Sequence, residues 1–132
     1  MNEEEWTLLD FSENQSHAIP NNKITLSVGD NNTRRITLNE AITNKIRVEG
    51  FCYLSVYLSN VCAEAKFVFR KKQSPDSLCI TPGKKSRTTI NSKFLVEKMI
   101  EKMNLPRKTQ QLAVSDNISN SPEYATYRIT KA

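Results

Sequence analysis

At 132 residues, 38% hydrophobic and with only three glycines and five prolines, the chain has the composition of an ordinary folded protein, which argues against a disordered or fibrous one. No run approaches the roughly 18 apolar residues of a membrane span, and the length suits one domain or two very small units sharing a core. The formal charge is +5, yet the first 16 residues hold five acidic groups and no Lys or Arg, so the remainder is more basic still and points to a polyanionic partner, nucleic acid first.

Residues 1–22 are polar and acidic, with Trp6, Leu8, Leu9 and Phe11 interspersed, and end in the turn signal Pro20-Asn21-Asn22. This segment reads as an arm that packs on the body or binds a partner. KITLSV alternates, with Ile24, Leu26 and Val28 on one face, and predicts a strand. After the turn Gly29-Asp30-Asn31-Asn32 comes a second short strand, RRITL. Asn39 is a good helix N-cap, because its side-chain oxygen can accept from a free helix N–H. Ile42 and Ile46 then recur one helical turn apart, and Gly50 ends the helix. CYLSVYL and AKFVFRK alternate again and predict two further strands.

Residues 73–77 read as a linker, and the order of elements then repeats. SLCIT is a strand, Pro82-Gly83-Lys84-Lys85 a basic turn, RTTI a short strand, and Asn91 or Ser92 an N-cap. SKFLVEKMIEKM is the strongest helix in the chain, with Leu95, Met99 and Met103 beside Val96 and Ile100. Asn104 and Pro106 stop it. QQLAVS and YATYRITK are strands, separated by the loop DNISNSPE.

Each half thus reads strand, turn, strand, helix, strand, strand. Arg35-Ile36-Thr37-Leu38-Asn39 falls on Arg87-Thr88-Thr89-Ile90-Asn91, Leu54-Ser55-Val56 on Leu112-Ala113-Val114, and Phe67-Val68-Phe69-Arg70-Lys71 on Tyr127-Arg128-Ile129-Thr130-Lys131. The matches keep their order, which favours a duplication over a plain β-rich α+β domain with similar strands. A unit of about 50 residues buries too little apolar surface to stand comfortably alone. Two copies sharing a core through a pseudo-two-fold axis would mimic the isologous homodimer.

Catalytic chemistry has little to stand on. The only histidine, His17, lies in the arm, and three glycines exclude the phosphate-binding glycine fingerprints. Cys52, Cys62 and Cys79 lack metal-ligand spacing and read as reduced thiols in a cytoplasmic protein. The acidic opening MNEEEW is unlike a secretory signal. The expectation is therefore a non-enzyme without metal or cofactor, and not a membrane protein. Glu97 and Glu101 are expected to pair with Lys93, Lys98 and Lys102 on a solvated helix face.

The stretch RRITLNEAITNKIRVEGFCYLSVYLSNVCAEAKFVFRKK resembles the AbrB/MazE-type swapped-hairpin (SpoVT-AbrB-like) domain, and the second half resembles it more loosely. Asn39 and Asn91 stand where that family carries a proline at the strand end, and the second helix is longer. The resemblance implies a β-rich α+β fold: two tandem β-β-α-β-β units, residues 23–72 and 78–132, forming one pseudo-two-fold swapped-hairpin barrel behind the acidic arm. It also implies a bacterial or phage DNA-binding regulator of transcription, monomeric as a pseudo-dimer or again dimeric.

The family's DNA-contacting arginines lie in and just before the second strand of each unit, which here means Arg34 and Arg35, with Lys84, Lys85 and Arg87 in the second copy. Arg47, Arg70, Lys71 and Lys72 are secondary candidates that read first as surface charges. Lys84 and Lys85 in a Pro-Gly turn equally read as solvated charge, and Tyr53 and Tyr57 as core or interface packing rather than base stacking. The alternative function is a protein-binding module, antitoxin-like or a phage-encoded inhibitor of a host complex. It would act through Trp6, Leu8, Leu9 and Phe11, since apolar groups in an acidic arm are a common way to fold onto a partner.

Overall fold

A computed structural model describes residues 19–30, 32–83, 87–115 and 119–132. The chain is β-rich α+β, an open curled antiparallel sheet with two helices. The strands are β1 (Lys23–Val28), β2 (Arg34–Leu38), β3 (Tyr53–Leu58), β4 (Glu64–Arg70), β5 (Leu78–Cys79), β6 (Thr88–Asn91), β7 (Gln110–Val114), β8 (Ser119–Asn120) and β9 (Tyr124–Lys131). Helix α1 (Glu40–Glu49) follows β2, and α2 (Lys93–Met103) follows β6. The order across the sheet is β5-β3-β4-β9-β7-β1-β2-β6, with β8 beside β9. The two-residue β8 falls in the stretch expected to be loop. Among the described residues no helix is long and apolar enough to cross a membrane, and no cluster of potential metal ligands forms.

Both helices are bounded as their sequences require. Asn39 Oδ1 accepts the Ile42 N–H at 2.9 Å, and Ser92 Oγ accepts the Leu95 N–H at 3.1 Å. Gly50 takes the left-handed conformation that closes α1, φ 74°, and Asn104 closes α2 with φ 54°. The predicted inward faces, Ile42 and Ile46 of α1 and Leu95, Val96, Met99, Ile100 and Met103 of α2, are buried. The strands contribute Ile24, Leu26, Ile36, Leu38, Leu54, Phe67, Phe69, Leu112 and Ile129 to the same core. Phe69 meets Phe67 and Tyr127 edge-to-face, with ring centroids 6.4 and 5.8 Å apart.

The register carries the main finding. Four of the eight strand pairings join residues before the linker to residues after it: β1–β7, β2–β6, β3–β5 and β4–β9. Neither half forms a sheet of its own. Some positions aligned between the two halves face each other directly: Thr37 pairs with Thr89 within β2–β6, and Phe67 with Tyr127 within β4–β9. Leu112 pairs with Ile24, while its counterpart Leu54 pairs with Leu78.

The two sides of the sheet are nevertheless closed differently. On the β1–β7 side, Asn39 Nδ2 donates to the carbonyls of Asn21 and Lys23 at 2.8 and 2.9 Å, and the Val114 N–H donates to Asn22 O at 2.8 Å. Ile24 is fully buried there. On the β3–β5 side Leu78 is 37% exposed.

Candidate nucleic-acid interface

Strands β2 and β6 form the end of the sheet between the two helix starts, a ribbon with β6 at its edge and β1 paired along the other side of β2. Alternation sends Ile36, Leu38, Thr88 and Ile90 inward, and all four are buried. It sends Arg35, Thr37, Thr89 and Asn91 outward, with Arg35 opposite Asn91 and Thr37 opposite Thr89. Arg87, half-buried just before β6, is two residues from Thr89 and so falls on the same strand phase. The two arginines thus stand at opposite ends of one solvent-facing ribbon, four residues apart along it, or roughly 13 Å. Arg35 has no carboxylate partner among the described residues.

At the Arg35 end a shallow depression of about 340 Å³ is lined by Asn32, Thr33, Arg34, Arg35, Asn91, Ser92 and Lys93. Lys93 is exposed at the start of α2 and adds a cation beside Arg35. Its role here differs from the expected helix-face pairing with Glu97.

Arg34 and Arg35, adjacent in sequence, do different things. Arg34 shares the inward phase of Ile36, and its Nε donates to Glu97 Oε1 on α2 at 2.9 Å. Its Nη1 donates to the carbonyl oxygens of Thr33 and Gly29 at 2.8 and 3.3 Å. Glu97 also receives Arg107 Nη2 at 2.7 Å. These two guanidinium groups, Arg107 first and then Arg34, lower the Glu97 carboxyl from 4.5 to about 2. Glu97 is therefore committed to arginines from β2 and from the loop after α2, not to the helix lysines, while Glu101 does pair with Lys98 at 3.7 Å. Spacing along the helix made Lys93 and Lys98 the obvious partners, and only the packing of α2 beside β2 brings Arg34 closer.

Arg47 lies on α1, where its Nη2 donates to Asn44 Oδ1 at 3.2 Å, off the ribbon. Arg70 is taken up by the outer face of β3–β4, near Ser55 Oγ at 3.3 Å and Tyr57 OH at 3.4 Å, and lies 6.0 Å from the Tyr124 ring. Tyr57 is 53% exposed, so it is a surface residue and not part of the core. Lys84 and Lys85, the arm residues Trp6, Leu8, Leu9 and Phe11, and His17 lie outside the described residues.

The candidate interface is therefore Arg35, Thr37, Arg87, Thr89 and Asn91, with Lys93 at its edge. Thr37, Thr89, Asn91 and Lys93 were not expected at an interface from sequence: the threonines entered only as aligned positions, Asn91 as a possible N-cap and Lys93 as a helix-face partner of Glu97. Comparison with family models, with curated proteins and with solved structures gives no match, so the interface is interpreted from its own geometry.

Proposed function

We propose that this chain is a small DNA-binding regulator of transcription, of bacterial or phage type, which docks the outer face of the β2–β6 ribbon on duplex DNA and acts by occlusion without a cofactor. One observation carries it: Thr37 opposite Thr89 sets Arg35 and Arg87 symmetrically about the centre of a solvent-facing ribbon. The major groove, about 12 Å wide, admits β-strands, and β6 offers it the edge of the sheet, with β1 following on the far side of β2. Arginines roughly 13 Å apart along such a ribbon suit phosphates on either side of the groove, with Thr37, Thr89 and Asn91 available to base edges between them.

We also read the fold as two AbrB/MazE-type swapped hairpins fused in one chain. Support comes from the strand order, which runs β5-β3-β4 and then β9-β7-β1, the corresponding strands in reverse. The self-opposed pairs Thr37–Thr89 and Phe67–Tyr127 support it too. A two-fold axis relating the halves would pass through both pairs.

The test is binding to a labelled random-sequence duplex at two salt concentrations. Each phosphate neutralised contributes about −0.9 to the log–log salt slope. Arg35→Ala and Arg87→Ala should each weaken binding and flatten the slope by about one such increment. Absence of binding at low salt would sink the proposal, as would variants that bind like wild type.

A further inference from the structure

The β3–β5 side carries an apolar groove of about 540 Å³ between the sheet and α2. Its floor is Leu54, Val56, Leu58 and Leu95, and its rim is Leu78, Phe94 and Lys98. Phe94 is 74% exposed, although it is a large aromatic group at the first turn of a helix. Lys98 Nζ lies 5.8 Å from its ring centroid. At the matching place on the β1–β7 side Ile24 and Leu112 are fully buried, and Asn39 clamps the chain entering β1.

We infer that this groove receives the Trp6–Phe11 segment of the same chain. Three observations carry the inference. First, the segment has the chemistry the groove asks for: Trp6, Leu8, Leu9 and Phe11 are four large apolar groups within six residues. Second, the charges match. The first 16 residues hold Glu3, Glu4, Glu5, Asp10 and Glu13 with no basic residue, while the α2 side of the groove presents Lys98, with the exposed Lys102 one helical turn further on, and Asp76 lies in the lining on the side of the chain before β5. Third, the chain reaches. It enters β1 at Asn21, whose Oδ1 accepts the Ala41 N–H at the start of α1 at 3.3 Å. The start of α2 lies at the other end of the ribbon, roughly 13 Å further on. The residues between Phe11 and Ile19 span roughly 27 Å when extended, enough to cross the ribbon and enter the groove. This inference stands apart from the DNA-binding proposal and survives its failure.

Trp6 is the single tryptophan, so its fluorescence in the full-length protein tests the docking directly. The expected emission is blue-shifted from that of the chain in denaturant, with acrylamide quenching reduced several-fold. Phe94→Lys should return both to the denatured values, and Lys98→Glu should move them part of the way. Val61→Lys, an exposed site in the β3–β4 turn, should leave them unchanged. Far-UV circular dichroism checks that each variant is folded. Wild-type emission already at the denatured value overturns the inference. So does a blue shift that both Phe94→Lys and Lys98→Glu leave untouched, which would put Trp6 elsewhere. A blue shift that vanishes on dilution also overturns it, because the occupant would then be the arm of a second copy.

Discussion

Glu97 accepts the Arg34 Nε–H at 2.9 Å across 63 positions of sequence, and this ion pair ties the start of β2 to the middle of α2. With Arg107 on its other oxygen at 2.7 Å, one carboxylate joins three elements. Because the folded carboxyl titrates at about 2, below its ordinary 4.5, its stabilising effect is fully present above about 4.5 and is lost as pH falls toward 2. The difference in Tm between wild type and Glu97→Gln should be constant from about pH 7 to 5 and shrink below that range. A difference unchanged at pH 2 would mean that the arginines do not hold the carboxyl down.

The split between Arg34 and Arg35 gives a paired prediction. Arg34→Gln should lower Tm and leave the salt slope of DNA binding unchanged. Arg35→Gln should flatten that slope by about 0.9 and leave Tm within about a degree of wild type, as expected for an exposed cation. Thermal melts and anisotropy titrations on the same two preparations decide it, and exchanged phenotypes would reverse the assignment of the two arginines.

Asn39 and Ser92 both cap helices, but Asn39 does more. Its buried amide also satisfies the carbonyls of Asn21 and Lys23. Ser92→Ala should cost about 1 kcal/mol, the loss of a cap. Asn39→Ala should cost about 2–4 kcal/mol, because two carbonyls lose their donor as well. Urea unfolding of the two variants measures the difference, and equal costs would show that the Asn21–Asn39 clamp adds nothing.

A short polar chain crosses between the halves inside the core. The Gly83 N–H donates to Thr88 Oγ1 at 3.0 Å, and Thr88 Oγ1 lies 3.0 Å from Thr43 Oγ1 on α1, with both threonines fully buried. Thr88→Val should cost about 1–3 kcal/mol through the partners it strands. Adding Thr43→Val should cost less than the sum of the singles. Additive losses in equilibrium unfolding would mean that the two hydroxyls do not share a bond.

Gly83 makes the tighter of two related turns. A Cβ there would lie 1.6 Å from the Arg87 carbonyl oxygen, whereas at Gly29 it would meet the Thr33 side chain at 3.0 Å. Gly83→Ala should therefore displace the β5–β6 connection and cost about 1–3 kcal/mol, with Gly29→Ala milder because a side chain can give way. The order of the two midpoints in urea checks this.

Much of the architecture was legible in the chain itself. Alternation in KITLSV and AKFVFRK, the Asn39 cap, a second cap at Asn91 or Ser92, and Gly50 all act within a few residues of themselves, so the elements could be read directly, with Ser92 proving to be the cap of α2. The aligned segments Arg35–Asn39 and Arg87–Asn91 turn out to be neighbours, as β2 and β6, although the alignment itself assigned no strand pairing. What could not be read depends on contacts between distant segments. Helical spacing offered lysines to Glu97, and packing supplied arginines instead. Tyr57 read as core or interface packing, and its 53% exposure removes the core half of that reading, because period-two alternation does not say which face is inward. The asymmetry between the clamped and open sides depends on Asn21 meeting Asn39, which no local pattern encodes.

The interleaved pairing has a consequence for how the protein is made. The last strand, β9, is sandwiched between β4 and β7, and β2 has β6 as its outer neighbour. A ribosome that has released only the first 72 residues has therefore delivered strands whose partners are still unsynthesised, and no stable half can form behind it. Folding waits for the final strand, and its rate is governed by long-range closure rather than by local helix formation. For the same reason, a protease cut in the linker at residues 73–77 should not free two domains. The nicked fragments should stay clasped together, but their stability would then fall on dilution, where that of the intact chain does not.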